Sequence, residues 1–149
     1  MKQLITLVIA LALFALDAEA QRYKVVTTVE SIVPGGMGRS RIIENTDQTD
    51  SEALTTARTD GKKSEQGQIK RKQIKVDKFN ETKLLNFYSM VGINFQNVAS
   101  NDATITDRLN ILAAEGWELV HVTSAVESDA GEPDGNGIFI TRFIFKRDD

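Results

Sequence analysis

His121 is the chain's one histidine, and the chain has no cysteine. A histidine acts as general base, or activates a nucleophile, only with a carboxylate or hydroxyl held in hydrogen-bond reach. As a metal ligand it usually joins other imidazoles or thiolates, and here neither type exists. On a strand, His121 shares a face with Trp117, Leu119 and Thr123. That setting favours a partly buried sheet histidine. The sequence therefore assigns no catalytic residue, no cofactor and no metal site.

Acidic and glycine-rich loops are the next candidates. Glu132-Pro133-Asp134-Gly135-Asn136-Gly137 opens like an EF-hand calcium loop. Such a loop needs a bidentate glutamate at its twelfth position. Counted from Glu132, that position is Phe143, and a strand pattern follows where a helix belongs. Glu127, Asp129, Glu132 and Asp134 could gather at most a weak extracellular Ca2+, and a solvated hairpin loop accounts for them better. Gly35-Gly36-Met37-Gly38-Arg39-Ser40 offers backbone N–H groups and a guanidinium to an anion. It lacks the lysine and the strand-to-helix context of a phosphate loop, so it reads as a hairpin turn.

Lys62, Lys63, Lys70, Arg71, Lys72, Lys75 and Lys78 form a basic segment, offset by Glu65 and Asp77. Its densest part, Lys70, Arg71, Lys72 and Lys75, is the candidate contact for an anionic polymer, a lipid headgroup or an acidic partner. Only Phe79 supplies an aromatic ring nearby, and a solvated edge strand plus loop explains the segment better. No G-x-S-x-G, H-E-x-x-H or Walker sequence is present. A pair of hydrolytic carboxylates would need a cleft built by a larger fold.

The chain that must position these groups has 149 residues and a formal charge of −3. Its first twenty residues stand apart. Lys2 precedes an apolar run of thirteen residues, Leu4 to Leu16, and Ala18-Glu19-Ala20 matches the small-x-small site of signal peptidase. The pattern predicts a secretory leader, residues 1–20, with cleavage after Ala20. The run is shorter than the ~20 apolar residues of a spanning helix. Without Lys2, Asp17 and Glu19 the charge becomes −2, a balance that argues against a dedicated nucleic-acid binder. The expectation is an exported protein, periplasmic or secreted, with no transmembrane segment after cleavage. No disulfide supports it, so burial alone must.

Residues 21–149 read as one α+β domain. Arg22–Val33 is rich in Val, Thr, Ile and Tyr and predicts a long strand. The Pro34–Gly38 turn returns the chain to a second strand at Arg39–Glu44. From Asn45 to Gln68 apolar residues are scarce, which predicts a polar, flexible insertion with a helical turn near Ala53–Arg58. Ile69–Phe79 is expected as an edge strand and Leu84–Val91 as another strand, while Gly92–Ser100 stays open between loop and short helix. Ile105, Leu109, Leu112 and Ala113 lie on one face of a helix, Ile105–Glu115, with Thr104 or Asp102 as its cap and Gly116 as its stop. Trp117–Val126 and Ile138–Lys146 complete the strands. The last is apolar on both faces, as befits a central strand covered on both sides, or covered on one and dimerised on the other.

The stretch Leu109-Asn110-Ile111-Leu112-Ala113-Ala114-Glu115-Gly116-Trp117-Glu118-Leu119-Val120 resembles a group of small bacterial domains of unknown function. They share a helix–GWELV–strand core, a YKVV first strand and a terminal YIFKR strand. Tyr23-Lys24-Val25-Val26 and Phe143-Ile144-Phe145-Lys146-Arg147 match the outer two elements. The resemblance spans half of the mature chain and is most specific at Gly116–Val120. It departs from the compact pattern in the long stretch between the first strand and the helix. It implies a fold and a bacterial envelope setting, and it carries no chemistry.

Taken alone, Gly116, Trp117 and Leu119 form a packing corner, a tight helix-to-strand reversal with the indole folded over the helix end. The expected fold is α+β, an antiparallel or mixed sheet of four to six strands on one main helix. The expected function is non-catalytic: contact with a protein partner or a homo-oligomer, or a structural role. Binding of anionic envelope polymers through residues 62–78 is the alternative, and a small hydrolase is the third.

Overall fold

A computed structural model of the chain describes residues 20–33, 39–127 and 137–148. The expected leader up to Glu19, the Pro34–Gly38 turn and most of the acidic Glu127–Gly137 loop lie outside the described residues.

β-Branched residues dominate β1 (Gln21–Ser31), and a five-stranded antiparallel sheet grows from it. β2 (Arg41–Asn45) pairs along one side of β1, and β3 (Phe79–Lys83) pairs in turn with β2. On the other side of β1 runs the last strand, β7 (Ile138–Asp148), in register from Gln21↔Asp148 to Ser31↔Ile138. β6 (Glu118–Glu127) closes the order β3-β2-β1-β7-β6. A two-residue hairpin, β4 (Tyr88–Ser89) with β5 (Gly92–Ile93), stands apart from the sheet. The architecture is α+β, with the sheet packed on one main helix.

That helix, α2, runs from Phe95 to Ala114, ten residues further upstream than the apolar spacing predicts. Asn94, rather than Thr104 or Asp102, caps it, accepting from the N–H of Asn97 at 3.1 Å. The reason lies in what the first half faces. Asn97 and Asn101 point at the backbone of the segment before β4 and hydrogen-bond to it. Asn101 is 1% exposed and spans Leu85: its Oδ1 accepts from the N–H at 2.8 Å, and its Nδ2 donates to the C=O at 2.7 Å. The N–H and C=O of Leu85, which have no strand beside them among the described residues, find their partner in this side chain. Of Leu84–Val91, only Tyr88–Ser89 is a strand, and it lies in the small hairpin rather than the five-stranded sheet; at Leu85 an amide side chain takes the place of a neighbouring strand.

The second half of α2 is conventional. Ile105, Leu109 and Leu112 meet Val26, Ile42, Leu84 and Phe145 in the core. Fully burying a side chain such as Leu112 contributes about 1.5–3 kcal/mol.

Two further expectations change. The basic segment is not a strand: Arg71–Ile74 forms a single helical turn, α1, and the charged β3 takes the sheet edge. The Gln73 side chain accepts from the N–H of Lys70 at 2.8 Å, which winds the turn, and Ile74 stays 53% exposed rather than entering the sheet. Residues 46–65 hold no strand or α-helix. Aspartates shape this segment locally: Asp50 accepts from the N–H of Glu52 and Ala53, and Asp60 from Lys62 and Lys63. A turn at Ser51–Thr55 stands near the expected helical turn.

Candidate interaction surface

The end of α2 sets up the strand that follows it. Gly116 has φ 86°, a left-handed value that glycine adopts without a Cβ penalty. Its N–H donates to Ala113 O and that of Trp117 to Leu112 O, both at 3.0 Å, a Schellman closure of the helix. Trp117 then packs against the core. Cations flank its ring, with Lys24 Nζ 5.0 Å and Arg147 Cζ 4.6 Å from the centroid. Arg147 also donates to Glu115 O at 3.0 Å, tying β7 to the helix end. This corner directs the chain into β6 along the free side of β7.

β6 carries a bulge at its start. Leu119 pairs with Phe145 and His121 with Ile144, so Val120 is the extra residue. The bulge puts Leu119 and His121 on opposite faces of the sheet, contrary to simple alternation. Leu119, Val122, Ser124 and Val126 follow the α2 side, opposite Phe145, Phe143, Thr141 and Phe139 of β7. His121, Thr123, Ala125 and Glu127 take the other side. α2 covers β1, β2 and β7 and leaves β6 bare: every residue of β6 is exposed. Leu119, Val120, Val122 and Val126 are each more than 40% exposed, and Phe139 adjoins them.

The two sheet edges differ. β3 is short and carries Asn80, Glu81, Thr82 and Lys83, with Arg41 held to Glu81 at 2.6 Å. Charged, short edges resist association. β6 is twice as long and its interior has no lysine, arginine, aspartate, glutamate or proline. Strand geometry makes it roughly 33 Å of edge with no strand paired along it among the described residues. Sequence reading finds β6 as a strand but cannot find it as an edge, because its neighbour β7 comes later in the chain and fills only one side.

β7 is an interior strand, between β1 and β6. Phe143 and Phe145 lie under α2. Ile138, Ile140 and Ile144 are half-buried on the opposite face, where Tyr23 and Val25 stay exposed. A shallow hollow on that face is bounded by Val29, Ile43, Phe79 and Ile138.

The other sequence candidates do not assemble into a reactive site. Lys70, Arg71, Lys72 and Lys75 are all exposed on and around α1, and among the described residues no acidic side chain pairs with them. A neighbouring hollow is lined by Asp47 and Asp50, so acidic groups border the basic turn. No hydrogen bond reaches the His121 ring among the described residues, and nothing orients it for proton transfer. A hollow of about 420 Å³ lies between α2 and the β2–β3 edge, lined in part by Glu44, Asn80, Asp107 and Arg108. The Glu44 carboxylate in it is already engaged. Arg108 Nη2 donates to Glu44 Oε2 at 2.7 Å while Nε donates to Oε1, and Lys24 Nζ stands 3.9 Å away. The Glu44 hydrogen bond raises the Arg108 pKa above its ordinary value.

Among the described residues no cluster of His, Asp and Glu is placed to hold a metal ion, and no helix is long and apolar enough to cross a membrane. Asp129, Glu132 and Asp134 lie outside them. No family model matches the chain, and no curated protein or solved structure matches it either, so the geometry of β6 and its apolar flank is what bears on function.

Proposed function

We propose that this is an exported, non-catalytic protein that works by protein–protein contact, with β6 as the contact. One observation carries the reading: an exposed ten-residue edge strand with apolar side chains, whose outer hydrogen-bonding side has no partner strand among the described residues. Such an edge is a template for another strand. Main-chain hydrogen bonds would supply affinity there, and the Leu119–Val122–Val126 strip would bury against the incoming chain. The leader pattern and the near-neutral charge support an envelope or extracellular setting. Val122→Lys, a change at a side chain 45% exposed, tests it. Retention of envelope proteins by the immobilised wild type, lost in the variant, is the expected result. Equal retention by both would refute the β6 assignment.

A second reading rests on the exposed cluster Lys70, Arg71, Lys72 and Lys75. Binding of an anionic envelope polymer there would fall steeply with added salt and vanish when all four become alanine. Contact through β6 would survive moderate salt.

A further inference from the structure

We infer that the strand received by β6 is β6 of a second copy of this chain, paired antiparallel about a twofold axis at Ser124. The inference rests on the protein-contact reading above and names its partner.

The register follows from which face each side chain takes. In an antiparallel pair, opposed residues share a face. A twofold axis between two residues would oppose side chains of opposite faces and is excluded. Axes on residues remain. An axis on Thr123 sets Glu127 against the partner's Leu119, which the bulge has turned to the other face. An axis on Val122 sets Ser124 against the bulged Val120 and Val126 against the partner's Glu118. An axis on Ala125 keeps only Thr123–Glu127 in the ladder, and sets Val122 and His121 opposite positions beyond β6. The axis on Ser124 uses only His121–Glu127, the part of β6 in unbroken register with β7. It places Val122 opposite the partner's Val126, Thr123 opposite the partner's Ala125, and His121 opposite the partner's Glu127, each twice.

That arrangement is complementary on both faces. Toward α2, valine meets valine, and the exposed Leu119–Val122–Val126 strip of each copy continues across the axis. Toward the other face, an imidazole meets a carboxylate at both ends of the ladder. Glu127 is the one charged group in the paired segment besides His121 when protonated, so the only strong cross-strand electrostatic pairs are attractive or neutral. The result is a continuous ten-stranded sheet with both α2 helices on one side, and with the charged β3 edges at its ends.

The chain has no cysteine, so Ser124→Cys introduces a single thiol at the axis. Directly opposed residues of a ladder lie about 4.5–5.5 Å apart at Cα, within disulfide reach. Protein recovered from cells expressing the full 149-residue chain is examined by sedimentation equilibrium. Ser124→Cys is then oxidised beside Thr82→Cys on the β3 edge. Expected are a reversible dimer and a cross-link at position 124 but not at 82. His121→Glu alone should weaken the dimer about tenfold through two carboxylate–carboxylate oppositions, and adding Glu127→Lys should restore it. A dimer without selective cross-linking, or without restoration by the double variant, would overturn this register. A monomer that still retains another protein through Val122 would overturn self-pairing and leave the protein-contact reading standing. A monomer that retains nothing through Val122 would overturn both.

Discussion

Asn101 on α2 pairs with the backbone of Leu85 as a neighbouring strand would, accepting from its N–H and donating to its C=O, while the same Nδ2 reaches Glu30 Oε1 at 3.0 Å. This one amide joins the helix, the segment before β4 and the central strand β1. Asn101→Leu keeps the size and removes every partner. The N–H and C=O of Leu85 then lose this partner, and the fold should lose about 1–3 kcal/mol. Urea unfolding measures it, and a loss below 1 kcal/mol would contradict the role assigned to the amide.

Arg108 and Glu44 hold α2 to β2, with Glu44 only 5% exposed. Arg108→Met strands that carboxylate with Lys24 alone and should cost about 3 kcal/mol. Glu44→Leu combined with Arg108→Met removes both charges and should recover most of that loss. Thermal unfolding of the two variants compares them directly, and a double variant no more stable than the single would contradict this account.

Gly116→Ala tests the reversal into β6. Space is not limiting, since an added Cβ would meet Arg147 Cδ at 3.5 Å, an ordinary contact. The left-handed backbone is limiting, and the expected cost is about 1–2 kcal/mol. Chemical denaturation should show that loss with the far-ultraviolet spectrum unchanged.

Asp60 is the acid-sensitive point of the 46–65 segment. The N–H groups of Lys63 and Lys62 hold its carboxyl below the ordinary value of 3.8. A depressed folded pKa contributes stability above the unfolded value, and that contribution is lost as pH falls through the folded pKa. Asp60 should therefore titrate at lower pH than Asp60 in the urea-unfolded chain when followed by carboxyl NMR shifts. A midpoint at or above the unfolded one would refute the turn.

Lys146 behaves in the opposite sense. Its hydrogen bond to Glu118, with Nζ to Oε2 at 3.2 Å, raises its pKa above 10.5. A raised folded pKa contributes stability below the unfolded value, and that contribution is lost as pH rises through the folded pKa. Glu118→Gln should lower the Lys146 midpoint in an NMR titration toward 10.5. The side chain is exposed, so overall stability should barely change.

The sequence by itself determined the elements whose signals are local. Valine and threonine in β1 specify a strand through their stiff, branched side chains. Ile105, Leu109 and Leu112 specify the second half of α2 by spacing, and Gly116 ends it by tolerating a positive φ. Tertiary structure decided whatever depends on distant partners. The first half of α2 is invisible to apolar periodicity because Asn97 and Asn101 turn inward to a backbone that folding brings there. The Val120 bulge moves Leu119 and His121 to opposite faces because β7, not β6, sets the register. Which strand is an edge depends on pairings between chain ends, β1 with β7 above all. That is why β6 could be read as a strand from its residues, while its open side, the feature on which function is argued, emerged only from the assembled sheet.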